Sequence, residues 1–453
     1  KASREAQQLI ATLPGLRVDV LSGQLATLSG KPLTILVNGI EASDNDLKAL
    51  QAKDIRNVDY YVVPPARYAD AGTVLNIHTR AAENGYATGF DVMQGTTSGS
   101  NNTNAYAKYN HGPHQFPPDD RLELRNAANC DEQDTYTFKD GDKRATYDYS
   151  GTYHFGYASH DFNLKYLFTR GDSLNFQAKF TPTIFTWFWN SDMDINAEGN
   201  PLWANGTQDK RQRRNSFSPS LDLYFDRTLP GGHEIMLNAV GTLFHNKQHV
   251  HNIQNDETQQ TLDDDMRQHN NKYSFIGEAA YTKDWGRTQL ALGYRAALAK
   301  SDYRITNILS DYKEYDYNAT DDKHYAYAQL NGSIAKIGYR ISLGATYINT
   351  SNDDTHFHKL YFTPDALLSY NVKNGALRLR GKMSTITPNI SSLSNNSTVT
   401  IPGLLYSGNP WLKSALDKQI GLTYSLNLPW LNMDLTADAR KIDDDFRDRK
   451  SVV

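Results

Sequence analysis

Apolar and polar residues alternate along two strands at residues 162–181, which a short polar turn at residues 170–173 connects. Only Leu167 departs from the alternation. Because side chains on a strand point alternately to its two faces, this hairpin has one apolar face and one face of lysines, amides and hydroxyls. The apolar positions are Phe162, Leu164, Tyr166, Phe168, Leu174, Phe176, Ala178 and Phe180, and the polar positions are Asn163, Lys165, Thr169, Asn175, Gln177, Lys179 and Thr181.

The same alternation recurs along most of the chain from Tyr86 onward, where the pattern predicts only strands and loops. We count about 16 strands, several of them near the length of about 9–11 residues that crosses a membrane. Residues 113–143, which include Pro117-Pro118, break the alternation and give no assignment. Further alternating segments lie at residues 217–225, 235–239, 273–281, 339–347, 377–382 and 431–440.

The connections between the predicted strands are of two kinds that alternate along the chain. Tight turns near residues 171, 231, 286, 336, 374 and 429 alternate with long polar loops near residues 190–215, 246–270, 300–321, 349–358 and 385–416. Short turns at one rim and long loops at the other are typical of outer-membrane β-barrels. A soluble all-β protein, such as a propeller or a large sandwich, also has alternating strands and is the competing interpretation.

Residues 1–84 have a different pattern, which predicts a compact α+β domain. Ser3 caps a first helix that contains Ile10, and Ser43 opens a second helix that contains Leu47 and Leu50. Strands are expected at residues 17–20, 33–37, 55–63 and 73–79. The predicted fold is therefore mainly β, with an N-terminal α+β plug domain over residues 1–84. A large antiparallel transmembrane β-barrel follows over residues 85–453.

Composition and charge narrow the function classes. The formal net charge of −4 is spread along the chain, which leaves no basic stripe for nucleic acid. The sequence contains no apolar run near the roughly 18 residues that a membrane helix needs. The 28 Tyr, 17 Phe and 6 Trp could supply the aromatic girdles of a barrel. Cys130 is the single cysteine, so an intramolecular disulfide and a zinc site built of cysteines are excluded.

Three blocks of sequence resemble the TonB-dependent outer-membrane receptors, whose plug precedes a large barrel. The first is Leu-Pro-Gly-Leu-Arg-Val at residues 13–18. The second comprises residues 35–39, 55–59, 64–68 and 74–80, which resemble the plug strands up to the strand that enters the barrel. The third is Gly-Asn-Pro-Trp-Leu-Lys at residues 408–413, followed by Ser414-Ala415 where the family has Pro-Glu.

The resemblance implies a barrel of about 22 strands closed by a plug, in the bacterial outer membrane. The chain begins at Lys1 without a TonB box and ends at Val453, so we expect a fragment that lacks several C-terminal strands. The partners that follow are outer-membrane lipid, a TonB-type energising protein, a surface lipoprotein and a small-molecule or oligomeric nutrient. No cofactor is expected.

No catalytic motif stands out, and no enzymatic activity, metal site or ligand-binding residue is predicted. His245, His249, His251 and His269 lie near Asp263-Asp264-Asp265, and His356 and His358 lie near Asp353-Asp354. A metal site would need such ligands to converge. The favoured interpretation is a solvated charge cluster at the barrel rim in both cases.

Two further groups of residues have competing interpretations. Arg378, Arg380 and Lys382 share one strand face and either attract an anionic ligand or form a structural ladder with Asp434 and Asp438, which is favoured. Residues 186–189, Thr-Trp-Phe-Trp, form an aromatic girdle or a surface on which sugar rings stack, and the girdle is favoured. Polar residues 252–260 are expected to be a plain surface loop.

The function expected from pattern and resemblance is uptake of a nutrient, such as a glycan, a peptide or a metal chelate. Two alternatives remain open at this point. One is a plug-bearing barrel that scaffolds partners without transport, and the other is a secreted all-β binding module. The uptake hypothesis requires the apolar faces of the long hairpins to meet lipid, with the charged faces lining an aqueous interior.

Overall fold

The computed structural model describes most of the chain, with gaps concentrated in the first 83 residues. The described residues are 10, 16–18, 25–27, 33–42, 47, 50, 52–61, 66–68, 73–80, 84–96, 99–171, 173–199, 201–307, 314–393, 397–402, 404–428 and 430–444. Residues 13–15, most of both predicted N-terminal helices and the Pro64-Pro65 pair lie outside the described residues. Within the described part, no helix is both long enough and apolar enough to span a membrane.

The N-terminal residues form two small sheets. Their strands are β1 (Leu16–Val18), β2 (Leu25–Thr27), β3 (Leu33–Val37), β4 (Ile40–Glu41), β5 (Ile55–Tyr61) and β6 (Thr73–Thr79). Strands β1 and β2 pair with each other, and a four-stranded sheet has the order β4-β3-β6-β5 with β3 and β6 parallel. Short 3-10 helices, Ala52–Asp54 and Ala66–Tyr68, flank β5. Strands β3, β5 and β6 lie where the sequence predicted strands, whereas the two 3-10 helices were not predicted.

The core of this N-terminal unit is apolar. Ile10 and Leu47, the described parts of the two predicted helices, are 1% and 3% exposed and pack with Leu75 and Ile77 of β6. Asn38 and Gly39 form the turn between β3 and β4 with φ angles of 53° and 82°. Positive φ at both central residues is typical of the tight hairpin turn that an Asn-Gly pair favours. The unit therefore has its own core, independent of the larger sheet.

The described residues from Gly85 onward form one large antiparallel sheet of 17 strand segments and a separate two-stranded hairpin. The hairpin consists of β22 (Ser397–Ile401) and β23 (Leu404–Ser407), preceded by a short helix, Ile390–Leu393. The sheet segments are β7 (Gly85–Gln94), β8 (Gly99–His111), β9 (His114–Phe116), β10 (Asp119–Asp140), β11 (Lys143–Arg170), β12 (Leu174–Gly199), β13 (Gly206–Leu229), β14 (His233–Asp256), β15 (Gln260–Asp284), β16 (Thr288–Asn307), β17 (Glu314–Ile334), β18 (Ile337–Asn352), β19 (His356–Phe362), β20 (Asp365–Val372), β21 (Gly375–Ile386), β24 (Ala415–Leu428) and β25 (Leu431–Asp443).

Two pairs of segments are single rows of the sheet interrupted by a proline-containing break. Strands β9 and β10 continue one register along β8 and β11, and β19 and β20 continue one register along β18. With each of these two pairs counted once, the 17 segments make 15 rows of the sheet in the described part of the chain. This agrees with the expected number of about 16 strands, counted from alternation alone.

The two faces of the sheet have opposite chemistry, as the sequence predicted. On β11, Leu164 is 46% exposed whereas its neighbour Lys165 is 6% exposed. The buried face is the one that meets the N-terminal unit, so the sheet curves around an interior that holds this unit. Exposed apolar residues include Phe162, Phe180, Leu221, Leu237, Phe275, Leu343, Leu379 and Leu422, and buried polar residues include Asn163, Lys165, Gln177, Asn246, Gln329, Arg340, Ser342 and Asp417.

The prediction of long polar loops is wrong for residues 190–215 and 246–270 and for most of 349–358. Strands β12 and β13 continue to a short connection at residues 200–205, and β14 and β15 to one at residues 257–259. Between residues 300 and 321, described strand continues to Asn307 and resumes at Glu314. Beyond the apolar belt both faces of a strand meet water, so alternation disappears while backbone pairing with the neighbouring strand persists.

Residues 113–143, which alternation left unassigned, contain β9, β10 and the start of β11. A β-bulge between Ala127 and Cys130 shifts the register, with Asn129 at a φ of 55°. An extra residue in a strand reverses which side chains face inward, and this hides the period of two. The Pro117-Pro118 pair lies at the break between β9 and β10, where no ladder hydrogen bond is needed from proline.

Candidate functional site

The N-terminal unit contacts the interior face of the large sheet through Arg67. The Arg67 Nε lies 3.3 Å from Glu278 Oε1 on β15, and the guanidinium lies 5.1 Å and 5.5 Å from the ring centroids of Tyr68 and Tyr224. The guanidinium is therefore held by a carboxylate and two aromatic faces, two of these three groups belonging to the barrel wall. Gly39 also approaches this wall, since a Cβ at its position would lie 3.0 Å from the Tyr224 hydroxyl.

A cavity of about 1160 Å³ separates the rest of the N-terminal unit from the wall. Its lining is polar on both sides. On the N-terminal unit, the ring of His78 lies 2.8 Å from Asp59 and 3.2 Å from Asn76. On the wall, Asp226 and Glu234 line the same space. A polar gap lets two bodies separate without exposing apolar surface.

An aromatic surface covers the interior face of β11 and β12 above the N-terminal unit. Tyr153 and Trp189 stack with ring centroids 4.1 Å apart and an interplanar angle of 8°. Arg125 lies over Tyr157 and Arg214 over Phe185, each 5.9 Å from the ring centroid. We call this surface the aromatic wall, and its members are Tyr153, Phe155, Tyr157, Phe185, Trp187 and Trp189.

The aromatic wall corrects the girdle interpretation of residues 186–189. Trp187 and Trp189 occupy the same face of β12 as buried Ser191 and Met193, so both tryptophans face the interior. Phe188 alternates to the outer face with Ile184, which is 51% exposed. The error arose because aromatic residues near the end of a strand's apolar stretch fit a girdle equally well, and only the register assigns the face.

A set of charged residues covers the opposite part of the interior, on β16 to β25. Asp365 accepts hydrogen bonds from Arg340 at 3.1 Å and from Arg380 at 3.3 Å. Arg378 donates to the Ser425 hydroxyl at 2.8 Å. The predicted ladder residues therefore face the interior, but the described contacts run to Asp365 and Ser425 instead of Asp434 and Asp438. Asp365 was missed because it follows a proline outside any alternating run.

The hairpin of β22 and β23 crosses the interior at the end opposite the tight turns. It belongs to the connection between β21 and β24, yet Ile401 is 1% exposed and packs with Tyr147 and Trp203 at the other side. The Asn252 side chain on β14 donates to the Thr400 carbonyl at 3.0 Å. The Gly-Asn-Pro-Trp-Leu-Lys block follows it, with the Pro410 carbonyl accepting from Thr355 at 2.9 Å.

Members of the histidine and aspartate clusters contact one another or the backbone of a neighbouring strand. His249 lies 2.7 Å from Asp265, and His251 lies 3.1 Å from Asp263 across β14 and β15. Asp353 instead accepts from the backbone N–H of Asn318 at 2.9 Å. No group of three metal-ligating side chains converges within the described ranges. Residues 252–260, expected to be a loop, are mostly strand and carry the Asn252 contact to the hairpin.

Known protein families and solved structures share this geometry. The model of the outer membrane protein beta-barrel family matches residues 231–452. The chain has the fold of an outer-membrane β-barrel. This barrel is similar to the copper transporter OprC, with a TM-score of 0.54, 11% identity, and coverage of 97% of this chain and 68% of that one. No curated protein sequence matches it.

The barrel is also similar to a mutant ferric enterobactin receptor of Pseudomonas aeruginosa in complex with enterobactin. The TM-score is 0.50 at 14% identity, and the match covers 97% of this chain and 70% of that one. At these identities the likeness shows the fold, a barrel that encloses an N-terminal unit. The resemblance to TonB-dependent receptors is thereby confirmed for the fold.

Proposed function

We propose that this outer-membrane barrel takes up a nutrient through its interior, with residues 1–84 acting as the plug. A glycan, a peptide or a metal chelate would be captured above the plug. A TonB-type partner would then supply the energy that moves the plug. One observation carries the proposal: the N-terminal unit has its own core but is attached to the wall by polar contacts around a large cavity. Such a body can be displaced as a unit.

The aromatic wall and the crossing hairpin support capture on the outer side of the plug. Aromatic rings that face water present flat apolar surface on which sugar or aromatic rings stack. The hairpin bridges two sides of the mouth through Ile401 and Thr400. A ligand that passes between the hairpin and the aromatic wall would therefore meet the plug next.

Growth tests distinguish uptake from a scaffold. A strain that lacks this protein would be grown with glycans, peptides, ferric chelates or cupric chelates as the limiting nutrient. Uptake predicts poor growth on one class, restored by the wild-type chain. A protonophore should then block internalisation and leave surface binding intact. Normal growth on every class, together with a disturbed envelope, would contradict uptake and favour the scaffold.

The attachment of the plug can be tested with Arg67→Met, which keeps the length of the side chain and removes its charge. Loss of the bond to Glu278 should loosen the plug and raise sensitivity to a large antibiotic such as vancomycin. Arg287→Met is the matched control, because Arg287 is exposed in the turn between β15 and β16. Equal sensitivity of the two variants would contradict the role given to Arg67.

A further inference from the structure

Two neighbouring rows of residues on the outer face of the barrel are rich in cationic side chains across β13 to β16. These positions face outward, because their strands bury the alternate residues, such as Asn246, Asn270 and Ser301. Most of the positions are Arg, Lys or His, and none is acidic. One row contains Asn215, Lys247, His269 and Arg304, and the next contains Arg213, His249, Arg267 and Thr306. We call the six basic side chains of these rows the outer cationic patch.

The outer cationic patch lies just beyond the apolar belt of the barrel. On β13, Arg213 is four residues from Phe217, and on β14, Lys247 is four residues from Leu243. Phe217 and Leu243 are 45% and 53% exposed on the lipid side. Four residues of strand extend about 13 Å, which the tilt of barrel strands reduces to a height of about 10 Å. Long cationic side chains reach back toward the membrane surface, so both lie at the level of lipid headgroups.

The outer cationic patch is on the side of the barrel where the strands extend beyond the membrane. The rows lie between the apolar belt and the connections at residues 200–205 and 257–259. In outer-membrane barrels the tight turns face the periplasm and the longer extensions face the cell exterior. The headgroups that the patch meets are therefore those of the outer leaflet.

Three members of the patch already have carboxylate partners. Arg267 lies 3.6 Å from Asp265, and Arg304 lies 2.8 Å from Asp316. His249 also contacts Asp265, at 2.7 Å. These three side chains therefore add little free positive charge to the surface.

Arg213 and Lys247, by contrast, have no acidic neighbour. Neither side chain makes an ion pair or a hydrogen bond with another described residue. Arg211, the next cation along β13, has partners of its own, Asp192 at 2.7 Å and Asp209 at 2.9 Å. Two positive charges on this surface are thus uncompensated. The outer-face neighbours of the two, opposite, diagonal and along the strand, are Thr186, Phe188, Asn190, Arg211, Asn215, Phe217, His245, His249, His251, Arg267, His269 and Asn271.

A groove of about 580 Å³ opens on the outer surface beside Arg213. Its lining includes Arg213, His249, Asn190, His154 and Phe188. The Phe188 ring stands edge-on to the His154 ring, with the centroids 5.0 Å apart. The groove combines an uncompensated guanidinium with hydrogen-bonding side chains and an aromatic ring, which suits a phosphorylated sugar better than a bare ion.

We propose that Arg213 and Lys247 bind the phosphate groups of a phosphorylated glycolipid in the outer leaflet of the membrane. The charge of the two side chains complements phosphate, and the patch continues the surface that meets lipid. The proposal is independent of the uptake function, because it concerns the outer surface of the barrel and not its lumen.

Binding can be measured by native mass spectrometry of the full chain in a non-ionic detergent. The probes are lipid A, a glycolipid with two phosphate groups, the same lipid after enzymatic removal of its phosphates, and inorganic phosphate. Lipid A should bind about tenfold or more tightly than its dephosphorylated form, since the charge-assisted hydrogen bonds are lost with the phosphates. Inorganic phosphate at the concentration of the lipid should not displace lipid A.

A pair of double variants tests the position of the bound lipid. Arg213→Gln with Lys247→Gln should weaken lipid A binding by about thirtyfold, because each cation near an anionic lipid surface contributes about 1 kcal/mol. Lys139→Gln with Arg144→Gln is the matched control. Lys139 and Arg144 are exposed and lie opposite each other in β10 and β11, next to the turn at residues 141–142. The control should bind lipid A as the wild type does, and heat-modifiable migration identifies the variants that remain folded.

Three results would overturn the proposal. Equal losses in the two double variants would show that binding follows the net charge and not the patch. Wild-type affinity in the folded Arg213→Gln, Lys247→Gln variant would remove both residues from the site. Equal affinity for the two forms of the lipid, or its displacement by free phosphate, would show that no headgroup phosphate is recognised.

Discussion

The outer and inner faces of the same strands differ in how specific a residue each position needs. On β18, Ile341 and Leu343 are 45% and 59% exposed on the outer face, while Arg340 and Ser342 between them are 8% and 1% exposed. Any apolar side chain meets lipid equally well, so the outer face needs only the right class of residue. The inner face is built of specific pairs, such as Arg340 with Asp365, and each pair needs its partner. Substitutions should therefore be felt differently on the two faces.

The largest effect is expected at Asp365, at the centre of the inner charge network. Asp365→Asn keeps the shape of the side chain and leaves the Arg340 and Arg380 guanidinium groups without their shared carboxylate. Removing one partner of a buried ion pair costs about 3–5 kcal/mol of unfolding free energy. Urea unfolding in lipid vesicles measures this change.

Asp316→Asn is the matched control for Asp365. Asp316 lies 2.8 Å from Arg304, but the two side chains are 58% and 68% exposed, so the change should be about 0–1 kcal/mol. Similar losses at the two aspartates would contradict the view that the inner pairs are the specific ones.

A charge placed on the outer face should have the next largest effect. Leu164→Arg puts a guanidinium into the apolar belt, where Leu164 is 46% exposed to the lipid side. The expected loss of unfolding free energy is about 2–4 kcal/mol near the middle of the bilayer and less toward its surfaces. Leu202→Arg, in the connection at residues 200–205 and 79% exposed, should change stability little. A harmless Leu164→Arg would mean that this face does not meet lipid.

The residues of the outer face could be predicted from the sequence, whereas the contacts of the inner face could not. Alternation over residues 162–181 assigned the outer face and the large antiparallel sheet, because a period of two is a property of each strand by itself. Partners across the interior depend on register and curvature, which no single strand records. Glu278 and Arg67 are 211 positions apart in sequence and meet only when the sheet closes around the plug. The extension of hairpins such as β12 and β13 beyond the membrane was not predicted, because strands there no longer alternate between apolar and polar residues.

Two glycines, one on each face, give a further comparison with a smaller expected change in stability. A Cβ at Gly293, on the inner face, would overlap the ring of Tyr327, whereas a Cβ at Gly241, on the outer face, would meet nothing within 4 Å. Tyr327 is 7% exposed and has little room to move. Gly293→Ala should therefore lower the free energy of unfolding by about 1–3 kcal/mol, whereas Gly241→Ala should change it by no more than about 0.5 kcal/mol. Denaturant midpoints of the two variants check this, and equal midpoints would contradict it.

The smallest expected effect concerns the plug and its response to alkaline pH. Partial burial, and next the carboxylate of Asp59, raises the pKa of Tyr61 from 10.0 to about 12. The folded state thus favours the protonated phenol, so its contribution to stability is complete below pH 10 and is lost as the pH rises to about 12. Tyr61→Phe should remove this loss, and Asp59→Asn should shift its end to lower pH. The permeability of vesicles to a molecule of the size of vancomycin, measured across this pH range, reports the release of the plug. A wild-type profile identical to that of Tyr61→Phe would show that the phenol does not couple the plug to pH, and would leave Arg67 as the attachment that matters.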